Sequence, residues 1–324
     1  MSECSVSVIV PAYNAAATAG KVIEAVLAQD YAGRIELIVV DDGSTDATLV
    51  IVRSYSNVKY LFQENQGPAS ARNYGAREAC GDILLFTDAD CCPDPGWITG
   101  MTGGFNDAQV SVVAGSYGIA NPGSALARII HGEIRFRHEH LMPEYPRAFG
   151  SYNVAIRSAL FRRLGGFDAG FRRASGEDND LSYRVLRAGS SIRFLKNVCV
   201  AHYHQEYLER YLREQFRHGF WRARLLLDHS MVAAADDYTF WKDVVEVPLV
   251  MAHLLLIFWP TVLFVMVAGF FLFEIAAAVC IFGPVVDGLF GGIVMWLRAF
   301  ARTAGLFFGT IYFLKIKLMT GKKS

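Results

Sequence analysis

The chain has 324 residues, 53% of them hydrophobic, and its 31 basic side chains balance its 31 acidic ones. This length allows one large domain and something smaller, and zero net charge gives no reason to expect nucleic-acid binding. The six cysteines show no C-x-x-C spacing, which favours a reducing compartment and no structural metal. A strand pattern begins almost at the first residue, so no signal peptide is expected.

The first part of the chain alternates strand and helix patterns. Residues 5–11 (SVSVIVP) are rich in Val and Ile and predict a central parallel strand. Further strands are predicted over 34–40, 58–62, 83–86 and 110–117, and helices over 16–29, 47–55, 70–79 and 123–142. Strands that alternate with helices imply right-handed crossovers. The predicted fold class is therefore α/β, with a mostly parallel (mixed) sheet flanked by helices.

Three predicted strand exits are rich in polar residues. They read Pro11-Ala-Tyr-Asn, Asp41-Asp-Gly-Ser and Asp88-Ala-Asp. In open parallel sheets ligands bind outside the carboxyl ends of the strands, so the three exits are expected to meet in one crevice. Asp88 and Asp90 follow a buried strand, and a divalent cation would compensate their charges, with Mg²⁺ or Mn²⁺ suiting oxygen ligands. An acidic turn that caps the strand is the alternative.

Two further features suit a ligand that carries a nucleoside and a diphosphate. Asp41 and Asp42 can accept hydrogen bonds from a base or from ribose hydroxyls; helix capping is the alternative, and it explains one acid well but two consecutive acids followed by Gly less well. Arg72 lies in the first turn of a predicted helix, where it can face a diphosphate; an exposed arginine on an amphipathic helix is the alternative. No G-x-G-x-x-G follows the first strand and no G-x-x-x-x-G-K-[ST] occurs, which argues against a dinucleotide dehydrogenase and a P-loop NTPase.

Seven segments together resemble the signature series of family 2 glycosyltransferases, in the order expected for that family. The segments read VSVIVPAYNA, VVDDGSTD, GPASARNYG, ILLFTDAD, FGSYNVAIRS, LGGFD and GEDNDLSYRVLRAG. The resemblance covers roughly residues 5–205, nearly two thirds of the chain. It implies a nucleotide-sugar-binding α/β fold of the GT-A type, and residues 1–205 are expected to form the catalytic domain.

The resemblance also implies roles for individual residues. The donor-binding residues would be Pro11, Tyr13, Asp41 and Asp42 at the nucleoside, Arg72 and Asp88 at the rest of the donor, and Asn153 in the segment that lines the sugar and acceptor pocket. Asp90, together with Asp88, would hold the metal, expected to be Mn²⁺ or Mg²⁺. His202, in the segment AHYH after the last predicted strand, is a further candidate metal ligand, with a structural role as the alternative.

Glu177 and Asp178 match the Glu-Asp pair of the family, whose Asp is taken as the catalytic base. They precede a helix pattern over 181–188, so capping is the alternative for these acids, and Asp180 is expected to be the cap. Inverting transfer to a hydroxyl needs a base, because an alcohol is a poor nucleophile until its proton is accepted. Family members that use polyprenyl phosphate resemble one another in a Gly-Asp-Phe-Arg-type segment, which this chain lacks, so a hydroxyl acceptor is expected.

The last third of the chain has the composition of a membrane region. Residues 206–246 carry arginines among aromatic residues and are expected to form amphipathic interfacial helices. Residues 247–297 contain two apolar runs, 247–273 and 275–297, which predict two transmembrane helices. Residues 298–324 are expected to form an interfacial helix and a basic cytoplasmic tail. Three spans are the alternative.

These patterns together favour an inverting, metal-dependent glycosyltransferase that moves a sugar to a hydroxyl of a lipid-linked glycan or glycolipid. The expected partners are a UDP- or GDP-linked sugar, that acceptor and membrane lipids. The expected location is a membrane with several spans and a cytoplasmic catalytic domain. Gln215–Trp221 does not fit the Gln-x-x-Arg-Trp sequence of processive polysaccharide synthases, so addition of a single sugar is expected. A polyprenyl-phosphate glycosyltransferase and a catalytically inactive membrane scaffold are the alternatives.

Overall fold

The computed structural model describes residues 4–171, 175–229, 237, 241–255, 258–282 and 285–320. The chain divides into two compact units. The first unit comprises Met1–Ala120 and Leu141–Tyr203, and the second comprises Asn121–His140 and His204–Ser324. A segment inside the predicted catalytic domain therefore belongs to the second unit.

The described part of the first unit is built on an eight-stranded mixed sheet. Its strands are β1 Val6–Ala12, β2 Ile35–Asp41, β3 Val58–Phe62, β4 Ile83–Thr87, β5 Cys91–Pro93, β6 Val110–Ile119, β7 Asn153–Arg157 and β8 Ser191–His202. Their order in space is β3-β2-β1-β4-β7-β6-β8-β5. β1 to β4 pair in parallel, as do β6 and β8, whereas β7 and β5 run antiparallel to their neighbours. The predicted mixed α/β sheet is confirmed, with β1 inside its parallel part.

Helices cover the strands of this sheet. In the first unit they are α1 Ala19–Leu27, α2 Thr48–Arg53, α3 Pro68–Glu78, α4 Trp97–Gly103, α6 Ser158–Arg163 and α7 Glu177–Arg187, whereas α5 Ala125–His140 belongs to the second unit. The sequence patterns did not predict β5, β7, α4 or α6. These elements have 3, 5, 7 and 6 residues, too few for hydrophobic periodicity to distinguish strand from helix.

Alternating side chains of the strands fill two hydrophobic clusters. Val10 of β1 belongs to the cluster that includes Val22 of α1. Ile9, its neighbour on β1, belongs to the cluster that includes the buried alanines of α3, because successive strand residues point to opposite faces. Gly75 lets α3 lie directly on the sheet, since a Cβ there would crowd the Ile9 side chain. This packing sets the start of α3 beside the carboxyl ends of β1, β2 and β4.

The second unit is helical in its described residues. Besides α5 it contains α8 Leu208–Asp228, α9 Trp241–Leu255, α10 Pro260–Phe282 and α11 Val285–Thr320. These helices do not match the predicted transmembrane helices, because 247–273 and 275–297 each fall across two helices. Among the described residues, only α10 is long and apolar enough to cross a membrane. The prediction of two spans is therefore not supported, and residues 321–324 of the predicted tail lie outside the described residues.

Buried charge explains why α11 differs from a simple apolar span. Arg298 is 1% exposed and donates to Glu246 of α9 at 3.3 Å and also to Glu133 of α5. One turn later, Arg302 donates to Gln215 of α8 at 2.7 Å. A buried guanidinium needs such partners to offset its lost hydration. The pairs tie α11 to three other helices of the second unit.

Glycines bring α8 and α11 into backbone contact. A Cβ at Gly305 of α11 would clash with the carbonyl oxygen of Phe216, and one at Gly309 would clash with that of Phe220. A Cβ at Gly219 of α8 would likewise meet the backbone of α11. Small residues at helix contacts let the backbones approach closely, which is a common device in membrane helices.

Candidate active site

Strand pairing brings two acidic residues and a histidine to one edge of the sheet. β4 is buried along its whole length, and Asp88 and Asp90 follow its carboxyl end. β5 begins directly after Asp90 and pairs antiparallel with β8, which places Cys91 opposite His202. The backbone N–H of Tyr203 then donates to the Asp90 carbonyl at 3.0 Å. The β5–β8 pairing therefore sets His202 beside the second aspartate.

Asp90 and His202 form the side-chain group that fits a metal ion best among the described residues. Asp90 Oδ2 lies 3.4 Å from His202 Nε2, and the two side chains are 46% and 22% exposed. The Cys91 thiol lies beside them as the third member of the group, and burial raises its pKa well above the usual range. A carboxylate with an imidazole suits Mn²⁺ better than Mg²⁺, which takes mainly oxygen ligands. Asp88, also predicted as a metal ligand, is outside this group.

Arg72 of α3 links Asp88 to Glu177. Its guanidinium is 1% exposed and donates to Asp88 Oδ1 at 2.6 Å and to Glu177 Oε1 at 2.9 Å. The other carboxylate oxygen of Glu177 accepts the backbone N–H of Ser175 at 2.8 Å. The resemblance implied that Arg72 faces the donor, whereas the structure encloses its guanidinium between two carboxylates.

Asp178 is the more accessible acid of the predicted catalytic pair. It is half-buried in the first turn of α7, and its carboxylate accepts the backbone N–H groups of Asn179, at 2.8 Å, and of Ser151. Burial and the charge of Glu177 raise the pKa of Asp178 to about 7, against the opposing effects of those N–H groups and of Arg72. A pKa near neutrality suits a general base. Glu177 is 2% exposed and holds Arg72.

Helix α7 begins earlier than its sequence pattern indicated. Its first residue is Glu177, preceded by Gly176 with φ of +110°, a conformation that glycine adopts readily. Asp180, the expected cap, lies inside the helix and pairs with Arg184 at 2.6 Å. The cap prediction is wrong because the helix already begins within the polar run GEDND, whereas the apolar periodicity that indicated a helix begins only at residue 181.

Asp42 holds the loop that follows β3, whereas Asp41 holds the turn that follows β2 and Tyr60 of β3. Both aspartates are at most 2% exposed. The Asp42 carboxylate accepts hydrogen bonds from the side chain of Gln63 at 2.6 Å and from the N–H groups of Gln66 at 2.8 Å and Gly67 at 2.9 Å. The Asp41 carboxylate accepts the N–H of Ser44 at 2.8 Å and the hydroxyl of Tyr60 at 3.1 Å. A nucleoside bound here as predicted would therefore share these two carboxylates with hydrogen-bond donors of the protein itself.

The exits of β1 and β2 meet, as expected for adjacent parallel strands. Pro11 lies in β1, which pairs with β2 along its length. Asn14, with φ of +50°, donates its N–H to Ser44 Oγ at 2.9 Å and accepts the N–H of Thr45 at 2.8 Å. Tyr13 is 48% exposed beside this junction. Its ring is open to a planar ligand.

Asn153 lies inside the sheet rather than at an open pocket. Its side chain is 0% exposed. The carbonyl oxygen accepts the indole N–H of Trp97 at 2.8 Å, and the amide nitrogen donates to the carbonyls of Ser116 at 2.9 Å and Val198 at 3.0 Å. Asn153 thus joins β7 to β6 and β8, and in this structure it does not face a donor site. The motif alone did not show that its side chain points into the core.

The LGGFD turn contributes to the site in a way that the sequence did not indicate. Asn73 donates to the Phe167 carbonyl at 2.7 Å and accepts its N–H at 2.9 Å. These bonds hold the Phe167 ring 5.6 Å from the Arg72 guanidinium. The two glycines at 165–166 have φ of +77° and +74°, which only glycine adopts without strain. The glycine pair was the available signal, since it marks a position where the backbone must turn tightly.

The family model for glycosyl transferase family 2 matches residues 7–177, more than half of the chain. The chain belongs to glycosyltransferase family 2. The matched range includes Arg72, Asp88 and Asp90, and it ends at Glu177, one residue before Asp178. The recognised part of this family 2 enzyme therefore coincides with the region that holds the ion-paired cluster.

This family 2 chain is similar to several curated glycosyltransferases. It is 32% identical over 217 residues to validoxylamine A glucosyltransferase of Streptomyces hygroscopicus subsp. jinggangensis, a match that covers 56% of this chain and 51% of the relative. It is 30% identical over 220 residues to glycosyltransferase AglE of Haloferax volcanii, covering 66% and 71%. The chain spans about half the length of several of these relatives.

A solved structure shares the fold. Mannosyltransferase PcManGT from Pyrobaculum calidifontis, determined in complex with GDP-Man and Mn²⁺, superposes with a TM-score of 0.61 at 20% identity. The match covers 92% of this chain and 86% of that one. At this level of identity the likeness establishes the GT-A-like fold of the family 2 chain.

Proposed function

We propose that this family 2 glycosyltransferase transfers one sugar from a nucleotide diphosphate sugar to a hydroxyl group, with inversion at the anomeric carbon. The acceptor that we propose is a lipid-linked glycan or a glycolipid at a membrane. The observation that carries the proposal is Asp178, a half-buried carboxylate whose pKa is raised to about 7. It lies next to the ion pairs that join Glu177, Arg72 and Asp88.

Asp178 acts as the general base. Its carboxylate accepts the proton of the acceptor hydroxyl while that oxygen forms a bond to the anomeric carbon. The bond between this carbon and the diphosphate breaks on the opposite side, and the nucleoside diphosphate leaves with the electron pair. A positioned base of this kind supplies about 10²–10⁴-fold in rate. The N–H groups of Ser151 and Asn179 orient the carboxylate and keep it partly ionised near neutral pH.

Asp90 and His202 would hold a divalent cation. Their donor atoms and partial exposure fit Mn²⁺, and the fold neighbour determined with GDP-Man and Mn²⁺ supports this assignment. When bound, the cation would neutralise charge on the departing diphosphate. Asp88 contributes by fixing Arg72, whose positive charge is balanced by Asp88 and Glu177. We leave Asn153 out of the site because its side chain is enclosed.

The nucleoside is proposed to bind at the joined exits of β1 and β2. Tyr13 offers an exposed ring there, and Pro11 lies two residues before it, near the end of β1. Asp41 and Asp42 are proposed to accept hydrogen bonds from the base and the ribose with lone pairs that the loop leaves available. A carboxylate oxygen can accept about two hydrogen bonds. Asp42 Oδ1 already accepts two, so the proposed ligand contacts fall on Asp42 Oδ2 and on the two oxygens of Asp41, each of which accepts one of the bonds given above.

The second unit is proposed to attach the enzyme to a membrane. α10 is 23 residues long, and only 17% of its most apolar 18-residue stretch is buried within the protein. Phe264 and Val265 are 73% and 64% exposed, which is unusual for apolar side chains of this size in water. Arginines of α8, such as Arg213 and Arg217, suit anionic head groups. A membrane location would place a lipid-borne acceptor within reach.

Two other acceptor classes need to be separated from the proposed one. A polyprenyl phosphate is already an anion and would need no base, so the presence of Asp178 as a positioned base argues against it. A soluble hydroxyl compound is the second class, and two relatives are named for molecules other than a lipid-linked glycan, validoxylamine A and pre-mycofactocin. Both classes belong in the assay as alternative acceptors.

The test is a donor and acceptor screen on the purified full chain in detergent. UDP- and GDP-linked sugars are incubated with Mn²⁺, and released nucleoside diphosphate is measured with a membrane glycolipid extract, polyprenyl phosphate or a soluble polyol. Release that increases with the glycolipid extract, with a sugar-bearing lipid as product, is the expected result. Stimulation by polyprenyl phosphate alone would contradict the proposed acceptor. Failure of every nucleotide sugar to react would contradict the enzymatic assignment.

A further inference from the structure

Three aromatic rings lie in a row at the edge of the sheet that carries Asp90. His202, at the end of β8, stacks on Tyr117 of β6 with ring centroids 5.0 Å apart and ring planes 27° apart. Tyr117 stacks on Tyr152, the residue before β7, at 3.5 Å and 12°. β6 lies between β7 and β8 in the sheet. Tyr152 lies in the FGSYNVAIRS segment quoted above and Tyr117 lies outside the quoted segments, and neither tyrosine has been given a role so far.

The row begins at the proposed metal site. His202 Nε2 lies 3.4 Å from Asp90 Oδ2. An imidazole coordinates a metal through a lone pair in the plane of its ring, so the orientation of that plane determines whether the nitrogen points at the ion. A ring stacked against one face of His202 restricts rotation about the bond that joins the imidazole to its side chain. Tyr117 is that ring.

The row ends beside the proposed base. Tyr152 directly follows Ser151, whose backbone N–H binds the Asp178 carboxylate. The same segment is held to α7 by a second connection, in which Phe149 donates its N–H to Ser182 Oγ at 3.0 Å. The Tyr152 ring is 7% exposed, so its position is set by packing. The stack therefore connects the side chain nearest the metal site to the segment that orients Asp178.

The contribution of Tyr117 is one of shape rather than charge. Burial, followed by the nearby groups Cys91, Tyr152, Asp88 and Asp90, raises the pKa of its phenol well above the usual range. The raised pKa favours the neutral phenol. A phenylalanine would keep the ring and its stacking, whereas a leucine would remove both. Comparing these two substitutions therefore distinguishes an effect of the ring from an effect of the hydroxyl.

We propose that Tyr117 and Tyr152 are positioning residues, which hold the His202 imidazole in the plane required for metal binding. This inference rests on the proposed metal site at Asp90 and His202. Groups that orient a metal ligand from outside the coordination shell typically account for about 10–100-fold in metal affinity. Loss of the Tyr117 ring should therefore weaken Mn²⁺ binding without removing any ligand.

The test measures Mn²⁺ affinity directly, from the electron paramagnetic resonance signal of free Mn²⁺, with UDP and GDP in separate titrations. Tyr117→Phe should bind Mn²⁺ within about twofold of the wild type, and Tyr117→Leu about 10-fold or more weakly. Tyr152→Leu should also weaken Mn²⁺ binding, but by a smaller factor, because Tyr117 still covers His202. Tyr55→Leu is the matched control: Tyr55 packs on the core and bonds Glu24 at 2.9 Å, away from the row.

The outcomes separate the stack from the metal site itself. If His202→Ala weakens Mn²⁺ binding and both leucine variants of the row bind like the wild type, the positioning role is wrong and the metal site stands. If His202→Ala also binds like the wild type, the metal assignment is wrong and the positioning role falls with it. Equal weakening in Tyr117→Phe and Tyr117→Leu would assign the effect to the hydroxyl and overturn the stacking inference. Should Tyr117→Leu fail to fold, Tyr152→Leu decides: wild-type Mn²⁺ affinity there overturns the inference.

Discussion

The Arg72 guanidinium donates to the Glu177 carboxylate at 2.9 Å in a fully buried ion pair that spans 105 residues of sequence. Through its other nitrogen, Arg72 also holds Asp88 at 2.6 Å. The pair joins α3 to the start of α7 and so fixes the residue that follows Glu177. The proposed base, Asp178, owes its position to this connection.

Asp178→Asn should abolish most of the transfer activity. Asparagine keeps the shape and accepts the same hydrogen bonds through its carbonyl oxygen, but it cannot take a proton at neutral pH. We expect nucleotide-sugar binding within a few-fold of the wild type and a kcat that is at least about 10²-fold lower. Steady-state assays with the acceptor found in the screen measure both quantities. Near-normal turnover would refute the base assignment and the hydroxyl acceptor together.

The same substitution should stabilise the protein in a pH-dependent way. The folded protein raises the pKa of Asp178 from 3.8 to about 7, so between these values the folded state binds more protons than the unfolded state. Stability from this group is then full below pH 3.8 and lost as the pH rises through about 7. Thermal unfolding should show a higher Tm for Asp178→Asn than for wild type at pH 8, with the difference shrinking at pH 5. A constant difference at both pH values would argue against the raised pKa.

Asp90→Ala should remove Mn²⁺ binding, because it deletes the carboxylate of the proposed ligand set. Calorimetric titration of Mn²⁺ in the presence of UDP or GDP measures the effect without any turnover. Asp30→Ala, at an exposed aspartate elsewhere on the first unit, is the control and should leave the affinity unchanged. Wild-type affinity in Asp90→Ala would place the metal elsewhere.

Glu177→Gln should destabilise the first unit strongly. It leaves the buried Arg72 with one carboxylate where it had two, and removing one partner of a buried pair costs about 3–5 kcal/mol. The lower end is expected because Asp88 remains. The matched control is Glu78→Gln, which breaks the Lys59–Glu78 pair, whose side chains are 37% and 45% exposed; an exposed pair of this kind contributes about 0–1 kcal/mol. Denaturant unfolding measures the loss of unfolding free energy in each variant. Equal losses would show that the buried pair contributes no more to stability than the exposed one.

Gly305→Ala should disrupt the second unit, because its Cβ would clash with the Phe216 carbonyl of α8. Gly269→Ala is the same substitution inside α10, where a Cβ would meet nothing within 4 Å. In a helix, alanine is favoured over glycine by about 1 kcal/mol, so the control should hold or raise the Tm in detergent. Gly305→Ala should lower it by several degrees. If both variants behave alike, close approach of α8 and α11 is not required.

Local sequence patterns determined the fold class and the location of the ligand-facing edge. An apolar run such as residues 83–86 is buried in the fold whatever its neighbours are, because the hydrophobic effect acts on each strand. Parallel strands have their carboxyl ends at the same edge of the sheet, where ligands bind. The strand exits therefore point to Asp88 and Asp90, whereas Asp178 was predicted from the resemblance to the Glu-Asp pair of the family. Their family context adds the expected chemistry.

Only the tertiary structure decided which groups meet. Periodicity reports the local environment of a side chain and carries no information about partners far away in sequence. The β5–β8 pairing set His202 against Asp90, the packing of α3 and α7 turned Arg72 toward Glu177, and the sheet core enclosed Asn153. The stacking of Tyr117 on His202 follows from the order of β7, β6 and β8. These contacts depend on long-range pairing, which is settled by the packing of the whole sheet and by no single segment.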